Sequence, residues 1–296
     1  MELRQLRTFE AVLRHGTVTD AADALGLAPS SVSEQVRALE RSLGVALFVR
    51  RPGGMVPTEA GERLRGWARR LLGDADAARR DVLAVPAAVR LGALETIAAR
   101  YVPGVVARLA AERPGLDVVL SSSVSRTALL DGIVGGTLDA ALLLDTGAAL
   151  GALGYPVPTG ALEHVDVEPV PLVLVAAPGH RHAGRGALSP TDLRGERLLV
   201  NVPGCSFRYA GERLFGDVVD RVEAGGVPVV RSWAAEGLGL ALLPEFAVAD
   251  DLAAGTLVRL ELDVPPLALR LVFRSGAETD DDLRALLYAV VAPRTL

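Results

Sequence analysis

The side chains able to do chemistry in this chain gather in a few short stretches, and none of them has the spacing of a catalytic centre. Carboxylates are scattered, and no nucleophile–base spacing, glycine-rich phosphate loop or dinucleotide fingerprint occurs. His180 and His182 flank Arg181; two histidines without a third ligand make a poor metal site, so a solvated loop is expected there. No catalytic residue, cofactor or metal follows from these residues, and the chain reads as a non-enzyme. Binding chemistry is better represented. Ser30, Ser31, Ser33, Glu34, Gln35 and Arg37 crowd one stretch, where short hydroxyl and amide side chains suit hydrogen bonds to base edges. Arg50 and Arg51 stand together in another, as guanidinium groups that meet phosphates do. Further on, Thr96, Ser123, Ser125, Asn201, Cys205, Ser206 and Arg208 follow short apolar runs. Hydroxyls, free amides and a guanidinium so placed would bind a carboxylate or similar small anion. For Thr96, Ser125 and Ser206 the simpler reading, a hydroxyl that caps its helix, stays open.

These groups need elements to position them. Leu3, Leu6, Phe9, Val12 and Leu13 recur at helical spacing and predict a first helix over 2–14. Thr17 caps a second with Asp20 as its capping-box partner, and Gly26 stops it in a left-handed conformation. Pro29 opens a third helix whose buried face is Val32, Val36, Leu39 and Leu43. The serines, Glu34 and Arg37 lie on the rest of it, either a groove-reading face or an ordinary solvated one. Residues 47–50 and 55–57 read as a hairpin with Arg51 in its turn, a wing placed to meet phosphates or a minor groove. Ser30, Ser31, Ser33 and Gln35 are then expected at base edges, and Arg37, Arg50, Arg51 and Thr58 at the DNA backbone. Thr58 also caps a long helix. Along it Leu64, Trp67, Leu71, Ala75, Ala78, Val82 and Val85 step by threes and fours until Pro86, a seam that a second copy of the chain would bury.

With these residues in place, the run from Met1 to about Leu83 resembles the DNA-binding arm of the LysR-type transcriptional regulators. The resemblance rests on Leu3-Arg4-Gln5-Leu6-Arg7-Thr8-Phe9, Thr17 to Ala22, Pro29 to Glu40, Leu43 to Arg50 and Pro57-Thr58-Glu59-Ala60-Gly61. It departs in two places. Ala28 replaces the usual Ser or Thr cap of the recognition helix, removing about 1 kcal/mol. Glu34 stands where many members carry Arg or Gln; either it accepts from a cytosine amino group and alters base preference, or it points away from DNA.

After Pro86 short apolar strands alternate with helices, an α/β pattern. Leu91 to Thr96, Pro114 to Val118, Gly136 to Ala141 and Gly237 to Pro244 are similar to landmarks of the same family's effector domain. That implies the two-lobed fold of type 2 periplasmic binding proteins, with a small-molecule effector in the cleft. Gly204 through Arg208 resembles a Gly-Cys-Ser-aromatic-Arg run of one branch of the family. Val227-Pro228-Val229-Val230 has strand propensity, yet its offset from the Gly-Leu-Gly landmark assigns it to a helix starting at the cleft. Gly226, at the entry to that helix, stands near a position where the family often has a hydroxyl, and belongs with the expected effector-binding residues.

The expected fold class is thus α/β with an all-α-rich N-terminal arm. Residues 1–58 form a winged helix-turn-helix domain, 59–88 a linker and dimerisation helix with hinge, and 89–296 an effector domain. By analogy lobe I is 89–160 with 264–296, and lobe II is 161–263. Bulk properties agree. Residues 1–90 carry a net charge of +3 and residues 91–296 one of −8, so a basic arm sits on an acidic chain. A single cysteine excludes a disulfide framework. A helix N-terminus and Arg208 would lower the Cys205 thiol pKa and open a redox reading, although no second cysteine exists to resolve it. No apolar run is long enough for a membrane span and no secretory signal opens the chain, so a cytoplasmic location is expected. The partners expected are double-stranded DNA, a small effector and a second copy; the resemblance implies a homodimer and, beyond it, a tetramer. The alternative is a small-molecule binding protein or an enzyme on the same two-lobed scaffold.

Overall fold

A computed structural model describes residues 1–82, 88–123, 125–158 and 161–291; Val85, Pro86 and Val124 lie outside them. The described residues fall into two compact units. One is the N-terminal arm through its long helix together with Asp131–Asp139, and the other is the remainder.

The arm consists of α1 (Leu3–His15), α2 (Val18–Leu25), α3 (Pro29–Leu43), β1 (Phe48–Arg51), β2 (Gly54–Pro57) and α4 (Glu59–Val82). Local chemistry sets its boundaries. The Thr17 hydroxyl accepts from the Asp20 amide at 3.0 Å to start α2, and Gly26, at φ 64°, ends it. Ala28 offers α3 no side-chain cap, and Pro29 in the first turn supplies the preorganisation instead. Leu6, Phe9, Val12, Ala21, Ala22, Val32, Val36, Leu39 and Leu47 form one core, with the Phe9 and Phe48 rings 5.2 Å apart. Leu43 departs from the expected stripe: it ends α3, no further turn continues the stripe over it, and it stays 39% exposed. The wing is pinned at its tip. Met55 N–H donates to the Gly16 carbonyl at 2.7 Å, and a side chain at Gly54 (φ 125°) would strike that same oxygen.

The long helix does not present its apolar positions as one free seam. Leu64 and Leu71 pack against the arm's own core, where Ala68 is also buried. Arg69 pairs with Glu10 at 3.2 Å and Arg7 with Asp76 at 3.2 Å, tying α4 to α1. Ala75 is half-buried, while Trp67, Ala78 and Val82 are exposed.

After the arm the order is β3 (Ala88–Leu94), α5 (Glu95–Glu112), β4 (Asp117–Ser123), α6 (Arg126–Val134, its last turn counted with the first unit), β5 (Ala140–Asp145), β6 (Leu162–Val170), β7 (Leu172–Ala176), β8 (Arg197–Asn201), α7 (Ser206–Phe215), β9 (Asp220–Gly225), α8 (Val227–Ala235), β10 (Leu240–Pro244), α9 (Glu245–Ala254), β11 (Val258–Leu260), β12 (Leu267–Arg274) and α10 (Asp281–Val291). Two five-stranded sheets result, ordered β4-β3-β5-β12-β6 and β11-β7-β10-β8-β9. Fully buried apolar strands such as β5, β7 and β10 lie inside them. The segment from Val227 is a helix, with Gly226 at its cap and Pro228 in its first turn.

The lobe boundary falls later than residue 161. Strand β6 pairs with β12 along its whole length, from Leu162 with Arg274 to Val170 with Leu267, and so completes the first sheet. An edge strand of mixed burial carries no local mark of the sheet it joins; the long-range pairing decides it. A buried ion pair fastens the loop that leads there. Arg270 and Asp145, both fully buried, meet at 3.1 Å. Asp145 also accepts from the amides of Thr146, Gly151 and Leu153 and, at 2.7 Å, from the Tyr155 hydroxyl.

Candidate functional site

Two groupings of polar residues stand out, one in each unit. In the arm, a groove runs between α3 and the β1–β2 wing, and Ser30, Ser33, Arg37, Arg50 and Arg51 line it. Short hydroxyls on the helix and guanidinium groups on the wing are the donor set that base edges and phosphates require. Ser31 is exposed but lies outside this lining. Glu34 is exposed too and pairs with Arg41 at 2.6 Å. That charged hydrogen bond holds its carboxyl below the usual carboxylate range. Two expected DNA contacts are directed into the arm instead. The Gln35 carbonyl accepts the Thr8 hydroxyl at 2.7 Å and ties α3 to α1. The Thr58 hydroxyl donates to Ala46 O at 2.8 Å and accepts from Gly61 N at 3.1 Å, so it serves the start of α4.

In the second unit a cavity of about 60 Å³ lies between residues of the two sheets. Thr96, Ser123, Asn201, Cys205, Ser206 and Gly226 line it, residues spread over more than a hundred positions of sequence. Its walls include the first residues of three helices, α5, α7 and α8, and none of the three has a side-chain cap. Free amides at such ends attract anions. Ser206 is therefore not the helix cap that its position permits.

Two members of the expected set are elsewhere. Ser125 accepts from the Ala128 amide at 3.2 Å and caps α6. Arg208 bonds Glu212 at 3.1 Å, Glu223 at 3.0 Å and the Asn201 carbonyl at 3.1 Å, so its guanidinium is committed to carboxylates of α7 and β9 and to the end of β8. Burial pushes the Cys205 thiol up, outweighing the α7 amides and the two nearby arginines that pull it down. The thiolate that the helix end and Arg208 would favour is thus disfavoured. The histidine segment is a loop, as expected, but His182 is not solvated in it. His182 is 4% exposed, with Nε2 3.0 Å from a Glu196 oxygen, and His180 and Arg181 reach the same carboxylate. Among the described residues no group of His, Cys, Asp and Glu is placed to hold a metal, and no helix is long and apolar enough to cross a membrane.

The residue that sequence reasoning missed is Arg126. It begins α6, is 2% exposed, donates to the Gly204 carbonyl at 3.2 Å and to the Ser206 hydroxyl, and lies 4.1 Å over the Tyr155 ring. Burial lowers its pKa from the ordinary arginine value. Nothing local marks it, since an arginine after a serine cap usually projects into solvent.

Comparison with known proteins agrees with this geometry. The family model described as the LysR substrate binding domain matches residues 86–292, and that of the bacterial regulatory helix-turn-helix protein, lysR family, matches residues 3–62. The chain is 32% identical over 287 residues to a probable hydrogen peroxide-inducible genes activator of Streptomyces viridosporus, covering 93% of this chain and 88% of that one. To the transcriptional regulator CbbR of Xanthobacter flavus it is 30% identical over 275 residues, covering 90% and 79%. A full-length OxyR variant from Pseudomonas aeruginosa shares the fold, with a TM-score of 0.67 at 21% identity over 98% of this chain and 94% of that one. A winged helix-turn-helix arm joined to a two-sheet effector-binding domain, matched along nearly the whole chain, makes this protein a member of the LysR family of transcriptional regulators.

Proposed function

We propose that this regulator grips duplex DNA as a dimer through α3 and the wing, and responds to a small anionic effector held in the cavity between its two sheets. The observation that carries the effector reading is the convergence of three uncapped helix starts with the hydroxyls of Thr96, Ser123 and Ser206 on one cavity. The helix-start amides and hydroxyls give this site donors for a ligand rich in oxygen, with the Glu95 carboxylate as the one charged acceptor among its described lining residues. Lobe closure on the ligand would bias the spacing of the two DNA-binding arms, and the coupling works equally in reverse. The proposed DNA contacts are Ser30, Ser31, Ser33, Arg37, Arg50 and Arg51, with Glu34 modulating them; no turnover is proposed.

A thermal-shift screen of small acids and metabolites against the full chain tests the effector reading. A ligand at a hundred times its Kd adds about 2.7 kcal/mol, which for a domain of this size raises Tm by about 5–10 °C. If a folded, DNA-binding preparation responds to no compound of any class, the effector reading fails.

A further inference from the structure

The cavity carries a charge problem that its lining does not reveal. Arg126 is almost wholly buried, and among the described residues it forms no ion pair. Its two bonds are to a neutral carbonyl and a neutral hydroxyl, and among the described residues its Nε has no hydrogen-bond partner. It also stands at the first position of α6, the end of a helix where a positive charge is least favourable. Tyr155 and Tyr209 give it aromatic faces at 4.1 and 5.7 Å, which offset only part of the cost of burying a cation. Asp145 is near enough to act on it, but its carboxylate bonds Arg270, which Asp166 also holds, and Tyr155 rather than Arg126 itself.

One consequence concerns Ser206, which lines the cavity. Its oxygen accepts from Arg126, and no acceptor for its own hydroxyl proton appears among the described residues. A hydroxyl held this way is a donor toward the cavity. We propose that Arg126 is the specificity-determining residue of this site: it sets Ser206 as a donor and supplies the counter-charge that selects a small monocarboxylate over its neutral analogue. Glu95 also lines the cavity, and its negative charge disfavours a second carboxylate on the ligand. The inference rests on the cavity being the effector site. Binding then brings an anion to a cation that forms no direct ion pair among the described residues.

Propionate, lactate, pyruvate and benzoate, each beside its amide, with succinate, glucose and putrescine as other classes, form the test panel for the full-length protein. Calorimetry and Tm shifts are read on wild type, Arg126→Met, Arg126→Lys and Ser206→Ala. At least one monocarboxylate is expected to bind while its amide and succinate do not. Arg126→Met should weaken that acid by about 10- to 150-fold, the range for a lost charged hydrogen bond, and bring acid and amide to parity. Arg126→Lys should restore part of the preference, and Ser206→Ala should weaken the acid while keeping the preference. A residue that only held the lobes together would weaken acid and amide alike, and that result overturns the proposal. So does an amide, sugar or amine as the only class bound, which leaves the effector site standing. Binding of no class overturns the effector site and the inference with it. Should Arg126→Met not fold, the acid-to-amide ratio of wild type against Arg126→Lys and Ser206→Ala decides the matter.

Discussion

At the scale of single residues, neighbours rather than sequence position set the chemistry. Cys205 is at the start of α7, within the influence of Arg126 and Arg208, a setting that ordinarily makes a reactive thiolate. Burial acts the other way and is the larger effect, so the thiol form is favoured at neutral pH. We expect iodoacetamide at pH 7.5 to alkylate Cys205 more slowly than free cysteine, with the rate climbing only above the usual thiol range. Alkylation as fast as free cysteine would show that the amides and arginines prevail. Arg208 makes the same point in reverse. Its motif suggests an anion-binding guanidinium, but Glu212 and Glu223 occupy it, and Arg126, which belongs to no motif, stands beside the cavity instead.

At the scale of elements, most of the arm was legible because its signals are local. Capping by Thr17, the left-handed stop at Gly26, Pro29 at a helix start and the hairpin with arginines at its tip each involve residues within a turn or two. What local pattern could not show is how α3 divides its polar side chains between DNA and the arm. Gln35 faces α1 through Thr8, and Glu34 neutralises Arg41 on the exposed side. The recognition helix therefore presents less free positive charge than its arginine content suggests. Glu34→Gln should raise affinity for any duplex and steepen the fall of log K with log salt, whereas Arg50→Ala should weaken binding to all sequences and reduce that slope by about 1. Salt titrations of both variants with indistinguishable slopes would remove these residues from the interface.

At the scale of the whole molecule, the long helix and the second unit matter most. The seam expected along α4 divides: Leu64 and Leu71 complete the arm's core, while Trp67 is 59% and Val82 83% exposed in a single chain. An exposed tryptophan and valine on one helix are suited to cover by another copy, the basis for proposing a dimer. Trp67→Glu combined with Val82→Glu should shift the sedimentation profile toward monomer and leave the melting of the second unit nearly unchanged. A profile identical to wild type would place the dimer contact elsewhere. In the second unit the exchange of segments between sheets is the organising feature. The chain leaves the first sheet after β6 and returns with β12, so the two lobes are joined by two crossings.

Periodicity, caps and turn glycines were enough to place the winged helix-turn-helix and the α/β class, because each depends on residues close in sequence; the helix from Val227, whose local pattern favours a strand, was assigned by resemblance. The same signals also located the hydroxyls of the cavity lining, Thr96, Ser123 and Ser206, since helix starts after apolar strands can be recognised one at a time. Folding in three dimensions decided the rest: that β6 belongs with β12, that Arg208 is occupied, that His182 is buried against Glu196, and that Arg126 meets Ser206 from the other lobe. Each of these joins residues far apart in the chain. Their partners are chosen by which surfaces the packed sheets bring together, and no local pattern encodes that choice.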